Sequence, residues 1–197
     1  MRPLIACLLI APLLIGGCDR QSQPQEQANA AAPGAATVSD EAPPAAAVAV
    51  PPAGTVDRSH KGEPEPALSF EDASGKPVTL GAFRGKPVLL NLWATWCAPC
   101  VTETPTLDAL AARDAGKLTV VAVGQEDDPA KVSAFFAMAG LKMLKPYLDP
   151  KLELSLGYEA NLPTSVLFDA QGTEVWRIAG GMDWTGDKTA ALIAEAR

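Results

Sequence analysis

The sequence predicts an α/β domain with a mixed central sheet flanked by helices, an N-terminal β-hairpin and an αβ insertion. Three observations carry that expectation. Two continuous β-favouring runs, "KPVLLNLWA" and "KLTVVAVGQED", have the texture of strands buried on both faces. The segment between them places apolar residues at helical spacing, so the three together form a parallel β-α-β unit. Near the C-terminus "PTSVLFDAQGTEVWRIAGG" alternates around Gln171-Gly172 as a hairpin, which adds antiparallel strands.

Each element has its own signal. "ALSFEDASGKPVTL" alternates apolar and polar residues around an Asp/Ser/Gly turn and opens the domain as a short hairpin. The first buried strand follows Gly85, and Trp93 at its end belongs to the core. "PCVTETPTLDALAARDAG" is a helix beginning near Ala98 and stopped by Gly116, with Pro105 placed to bend it. "DPAKVSAFFAMAG" has Asp128 as N-cap, Pro129 at the first helical position and Gly140 to end it. A short strand near "KPYLD" and a short helix from Pro150 to about Gly157 form the insertion. The hairpin follows it, and "TGDKTAALIAEAR" closes the chain as a helix. No internal repeat is present.

The N-terminal part reads as address and tether. Residues 1–17, "MRPLIACLLIAPLLIGG", give a positive start, an apolar run too short to span a bilayer comfortably and a small-residue end. Cys18 follows directly, in a setting that resembles the lipobox of bacterial lipoproteins, where that cysteine is lipidated; an ordinary secretory signal is the alternative. Asp19 resembles an inner-membrane retention signal. Residues 18–66, rich in Ala, Pro, Gln and Gly and without aromatics, cannot bury enough apolar surface to offset ordering costs of ~1–2 kcal/mol per residue. They are expected to be a Pro-stiffened tether, with the one histidine, His60, solvated on it. The domain is expected over residues 67–197.

A formal net charge of −7 with no basic stripe argues against nucleic acid as a partner. Cys7 leaves with the signal and lipid occupies Cys18, so one dithiol remains, Cys97 and Cys100 in "WATWCAPC". Zinc would need four ligands, and the domain offers two cysteines and no histidine; no metal or other cofactor is expected. Copper shuttling would favour CxxxC with a downstream histidine, and haem attachment needs histidine where Val101 stands. A two-residue loop excludes few unfolded conformations, so a purely structural disulfide would stabilise little. Redox exchange uses the pattern fully. Cys97 falls where strand gives way to helix, and the unpaired N–H groups and positive dipole end there stabilise a thiolate. Cys100, one turn in, is sheltered and resolves the mixed disulfide. Pro99 suits the first turn, where its missing N–H costs nothing.

"LLNLWATWCAPC" together with "LPT" at Leu162 to Thr164 resembles the thioredoxin fold. The longer "GKPVLLNLWATWCAPCVTETP" is similar to the TlpA/ResA/CcmG-type family of membrane-tethered periplasmic thiol–disulfide oxidoreductases, over residues 67–197. The resemblance implies Cys97 as nucleophile, Cys100 as resolving thiol and Glu103 as active-site acid. It places Pro163 after a cis bond against the dithiol, and Trp96 over the disulfide rim. Ala98, Pro99 and Leu162 then join Trp96 and Pro163 in the substrate-binding surface. Ordinary thioredoxins carry an aspartate where Asn91 stands, so a carboxylate one turn along the helix takes over the proton relay to Cys100.

Ala98-Pro99 offers the thiolate no side-chain donor, which favours a reducing pair. The expectation is a lipid-anchored monomer on the periplasmic side of the inner membrane, reducing disulfides of exported proteins. Apocytochrome c is a candidate client and a DsbD- or CcdA-like membrane protein the electron donor. The alternatives are a non-catalytic lipoprotein binding module with a structural dithiol, and a disulfide oxidase or isomerase. A peroxidase would want a Pro-x-x-x-Thr-x-x-Cys setting, which "LWATWC" lacks.

Overall fold

The computed structural model describes residues 54–197. The expected signal peptide, the expected lipidation site Cys18 and the expected tether as far as residue 53 lie outside the described residues. The strands are β1 Thr55–Asp57, β2 Ser69–Glu71, β3 Pro77–Thr79, β4 Val88–Trp93, β5 Thr119–Gly124, β6 Tyr147–Leu148, β7 Thr164–Phe168 and β8 Glu174–Ala179. The helices are α1 Ala98–Arg113, α2 Pro129–Ala139, α3 Glu153–Gly157 and α4 Asp187–Ala194, with a 3₁₀ turn at Leu80–Phe83.

All eight strands form one sheet in the order β1-β8-β7-β4-β5-β6-β2-β3. β4, β5 and β6 run parallel, and the remaining neighbours are antiparallel, which is the expected mixed sheet. β4 is buried at every position because it lies at the centre with a layer on each face. Its period of two sorts the core. Leu89 and Trp93 pack with Leu107 and Leu110 of α1, Val132 and Phe136 of α2, and Leu192 and Ile193 of α4. Val88, Leu90 and Leu92 face the other way, into a cluster with Phe70, Leu80, Val166, Phe168 and Leu154 of α3. Asn91 shares the α1 side with Leu89 and Trp93, which sets its later role.

The element ends follow local chemistry. Asp128 caps α2, accepting from the Ala130 N–H at 2.9 Å, and Gly140 closes it in the left-handed region at φ 64°. The insertion helix is shorter than expected. Its start is held by Asp149, whose carboxylate accepts from the N–H groups of Glu153 and Leu154.

The tether boundary is corrected by the structure. Residues 54–66 belong to the fold: β1 pairs antiparallel with β8, and Pro64 bridges Thr173. Backbone bonds from Gly62 N to Glu174 O, Glu174 N to Glu63 O and Glu65 N to Gly172 O continue the pairing. Gly54 meets β8 so closely that a Cβ there would sit 2.3 Å from Ile178 Cγ2, so only glycine fits. The segment needs little apolar area of its own because it completes an existing sheet edge, and Val56 alone of β1 packs against the core. His60 is half-buried, with Nδ1 3.1 Å from the Glu63 carboxylate, rather than free on a tether.

Candidate active site

The C-terminal end of β4 delivers residues 94–97 to the mouth of α1. Cys97 is the N-cap residue in extended conformation, its N–H bonded to Ala94 O at 3.2 Å and its carbonyl accepting from Val101 N at 3.0 Å. Pro99 occupies the first turn, as its missing N–H allows. Cys97 and Cys100 form a disulfide with S–S 2.05 Å. Cys97 is 6 % exposed and Cys100 1 %, so the outer sulfur is more enclosed than the sequence suggested. The asymmetry rests on position: one cysteine caps the helix while the other lies inside its first turn. A loop carboxylate steadies the approach, since Glu126, after β5, accepts the Thr95 N–H.

Around the dithiol, Trp96 stands 71 % exposed and Ala98 is open to solvent, while Pro99 and Leu162 are half-buried. The Leu162–Pro163 bond is cis and Pro163 is buried. The Pro163 carbonyl accepts from Gly180 N at 2.8 Å, which ties the start of β7 to the loop between β8 and α4. The next residue of that loop, Gly181, is close to both partners: a Cβ there would lie 3.6 Å from Glu103 Oε2 and 3.7 Å from Pro99 Cβ. The fold therefore gathers Pro163, Pro99 and Glu103 through one loop.

Glu103 is buried, one helical turn beyond Cys100. Its Oε1 accepts from Trp184 Nε1 at 2.6 Å and from Asn91 Nδ2 at 3.2 Å, and its Oε2 from the Met182 N–H at 3.2 Å. Asn91 Nδ2 also donates to Ser165 Oγ at 3.0 Å. Burial drives the carboxyl up to about 7, against the pull of the Trp184 and Met182 donors, which favour the charged form. A carboxyl with that midpoint can take and return a proton near neutrality. Trp184, Met182 and Glu126 were absent from the sequence-based site; each joins it through tertiary contact, and no local pattern marks them. Among the described residues no three Cys, His, Asp or Glu side chains converge as a metal site would require, and no helix is long and apolar enough to cross a membrane.

Residues 60–193 match the family model described as Redoxin. The chain belongs to the redoxin family of thiol–disulfide oxidoreductases. This redoxin is 33% identical over 150 residues to the thiol:disulfide interchange protein DsbE of Pseudomonas fluorescens biotype C, covering 69% of this chain and 79% of that one. It is 34% identical over 122 residues to the thiol-disulfide oxidoreductase ResA of Bacillus thuringiensis strain Al Hakam, covering 60% and 69%. Among solved structures, the pneumococcal exposed lipoprotein thioredoxin of Streptococcus pneumoniae strain TIGR4 superposes with a TM-score of 0.55 at 25% identity, over 65% of this redoxin and 96% of that chain. The sheet, the helix-mouth dithiol and the cis proline are thus set in a thioredoxin fold.

Proposed function

We propose that the protein is a membrane-tethered protein-disulfide reductase working on the periplasmic side of the inner membrane. The single observation that carries this reading is the dithiol at the mouth of α1 with a buried acid one turn beneath it. In the reduced protein the Cys97 thiolate attacks one sulfur of a client disulfide. A Cys97–client S–S bond forms, the client bond breaks, and the first client sulfur leaves as thiolate. Glu103 takes the Cys100 proton, Cys100 attacks Cys97 Sγ, and the second client sulfur leaves. The client gains two electrons and the protein becomes the Cys97–Cys100 disulfide. Two electrons from a membrane donor of the DsbD or CcdA kind, with the proton held by Glu103 returned to Cys100, restore the Cys97 thiolate and the Cys100 thiol.

The client segment lies along Leu162, Pro163 and Pro99, with Trp96 as an exposed apolar contact. The reducing direction is supported by the absence of a side-chain donor at Ala98 and Pro99. The relatives named thiol:disulfide interchange protein and thiol-disulfide oxidoreductase support disulfide exchange as the reaction; disulfides of exported proteins, apocytochrome c among them, are the proposed clients. The lipoprotein neighbour in Streptococcus agrees with an anchor at Cys18.

Insulin reduction driven by dithiothreitol tests the reading: the protein accelerates it, and Cys97→Ser removes the acceleration. An undiminished rate in that variant contradicts it. Cys100→Ser is expected to accumulate mixed disulfides with exported proteins, and their identification gives the client.

A further inference from the structure

The loop between β8 and α4 wraps the Glu103 carboxylate, and one of its side chains has no other polar task. Trp184 is wholly buried, with its ring stacked on Trp176 at 6.4 Å between centroids and 13° between planes. The Trp184 N–H bonds Thr106 Oγ1 at 3.2 Å, and its carbonyl accepts from Arg113 Nη1 at 3.4 Å. The residue is therefore fixed at backbone and ring alike, with the indole N–H aimed at Glu103 Oε1 from 2.6 Å, the shortest of the bonds to that carboxylate. An indole nitrogen donates and cannot accept, so this bond strengthens when Glu103 is charged and constrains which oxygen carries the proton when it is neutral.

We propose that Trp184 is a positioning residue for disulfide exchange: its indole N–H holds the Glu103 carboxylate in place and sets the pH at which Glu103 releases its proton. This rests on the relay role proposed above for Glu103. The other groups meeting the carboxylate are neutral: Asn91 from β4, with Ser165 of β7 behind it, and the Met182 N–H. The charged side chains nearby are engaged elsewhere. The Asp183 carboxylate binds Thr185, and the Arg113 guanidinium binds Asp114 and the Trp184 carbonyl. Among the described residues, the other titratable groups of the site are Cys97 and Cys100, which do not titrate as a disulfide, and Glu126, whose carboxylate is engaged by the Thr95 N–H and makes no bond to Glu103.

The test uses the full-length oxidised protein and two nuclear-resonance signals, the Trp184 indole ¹⁵N–¹H pair and the Glu103 carboxyl ¹³C. Both are expected to move with pH at one common midpoint. Replacing Trp184 with benzothienylalanine, which keeps the ring volume and stack and puts sulfur in place of the N–H, is expected to raise the Glu103 midpoint by about one pH unit or more. Trp184→Phe should act in the same direction, and the isostere covers the case in which that variant does not fold. In the reduced protein, the acid limb of the exchange rate should shift upward by the same amount. An indole signal flat through the Glu103 titration overturns the proposal, as does a Glu103 midpoint unmoved by the isostere. A Glu103 midpoint that moves while the acid limb of the exchange rate stays put upholds the hold of Trp184 on Glu103 and overturns the relay role of Glu103 instead.

Discussion

Glu103 makes a pH signature of stability that is independent of catalysis. In the unfolded chain its carboxyl releases its proton near the ordinary 4.5, while burial holds that proton in the folded protein up to about 7. Between those values the folded state binds more protons than the unfolded one, so stability is greatest below the window and falls as pH rises through it, by about 3 kcal/mol. Denaturant unfolding of the oxidised protein across that range should show the fall, and Glu103→Gln should flatten it. An equal slope in wild type and variant would assign the pH dependence to another group. The residues of this site divide by how they are joined. The places of Cys97, Cys100 and Glu103 were legible because they follow one another at three-residue steps over the first two turns of one helix, with the family resemblance naming Glu103 as the acid. Trp184 reaches Glu103 from 81 positions away. Nothing around "GGMDWTGD" announces a carboxylate partner, because the contact depends on how the β8–α4 loop folds back over α1.

Elements were most readable where their ends carry their own chemistry. Asp128, Pro129 and Gly140 bracket α2 from sequence alone, since capping and left-handed closure are satisfied locally. The segment after α2 is held differently. Asp108 of α1 accepts from the N–H groups of Lys142, Met143 and Leu144, with Oδ1 2.8 Å from Met143 N and 2.9 Å from Leu144 N. An aspartate mid-helix reads in sequence as a solvated charge, and only the packing of α1 against this loop reveals a clamp. Asp108→Ala leaves those donors to water and should cost about 1–2 kcal/mol, with faster amide exchange confined to residues 141–146. Asp108→Asn keeps the accepting Oδ1 and should restore most of the loss. If exchange there is unchanged in the alanine variant, the clamp is idle.

At the scale of the molecule, the sheet extends further than hydrophobic patterning indicated. The mixed sheet, the parallel β4-β5 pair and the closing hairpin followed from periodicity, because buried central strands must be apolar on both faces. β1 escaped because an edge strand borrows its stability from β8, and three residues in an Ala/Pro-rich context carry no periodic signal. The edge pairing should be measurable. A chain beginning at residue 54 should unfold at the same denaturant concentration as the longer protein. One beginning at residue 67 loses β1 and the bonds of Gly62, Glu63 and Glu65 to residues 172–174, and should lose about 3–5 kcal/mol. It should also associate through the bared edge of β8. Equal stability of the two chains would return residues 54–66 to the tether.

The most direct test of the exchange mechanism is alkylation of the reduced protein from about pH 4 to about pH 10, with each modified cysteine located by mass. Cys97 should react first, with a midpoint well below the ~8.5 of a free cysteine, while Cys100 stays protected. Two sulfurs reacting together at the free-cysteine midpoint, or Cys100 reacting ahead of Cys97, would contradict the account.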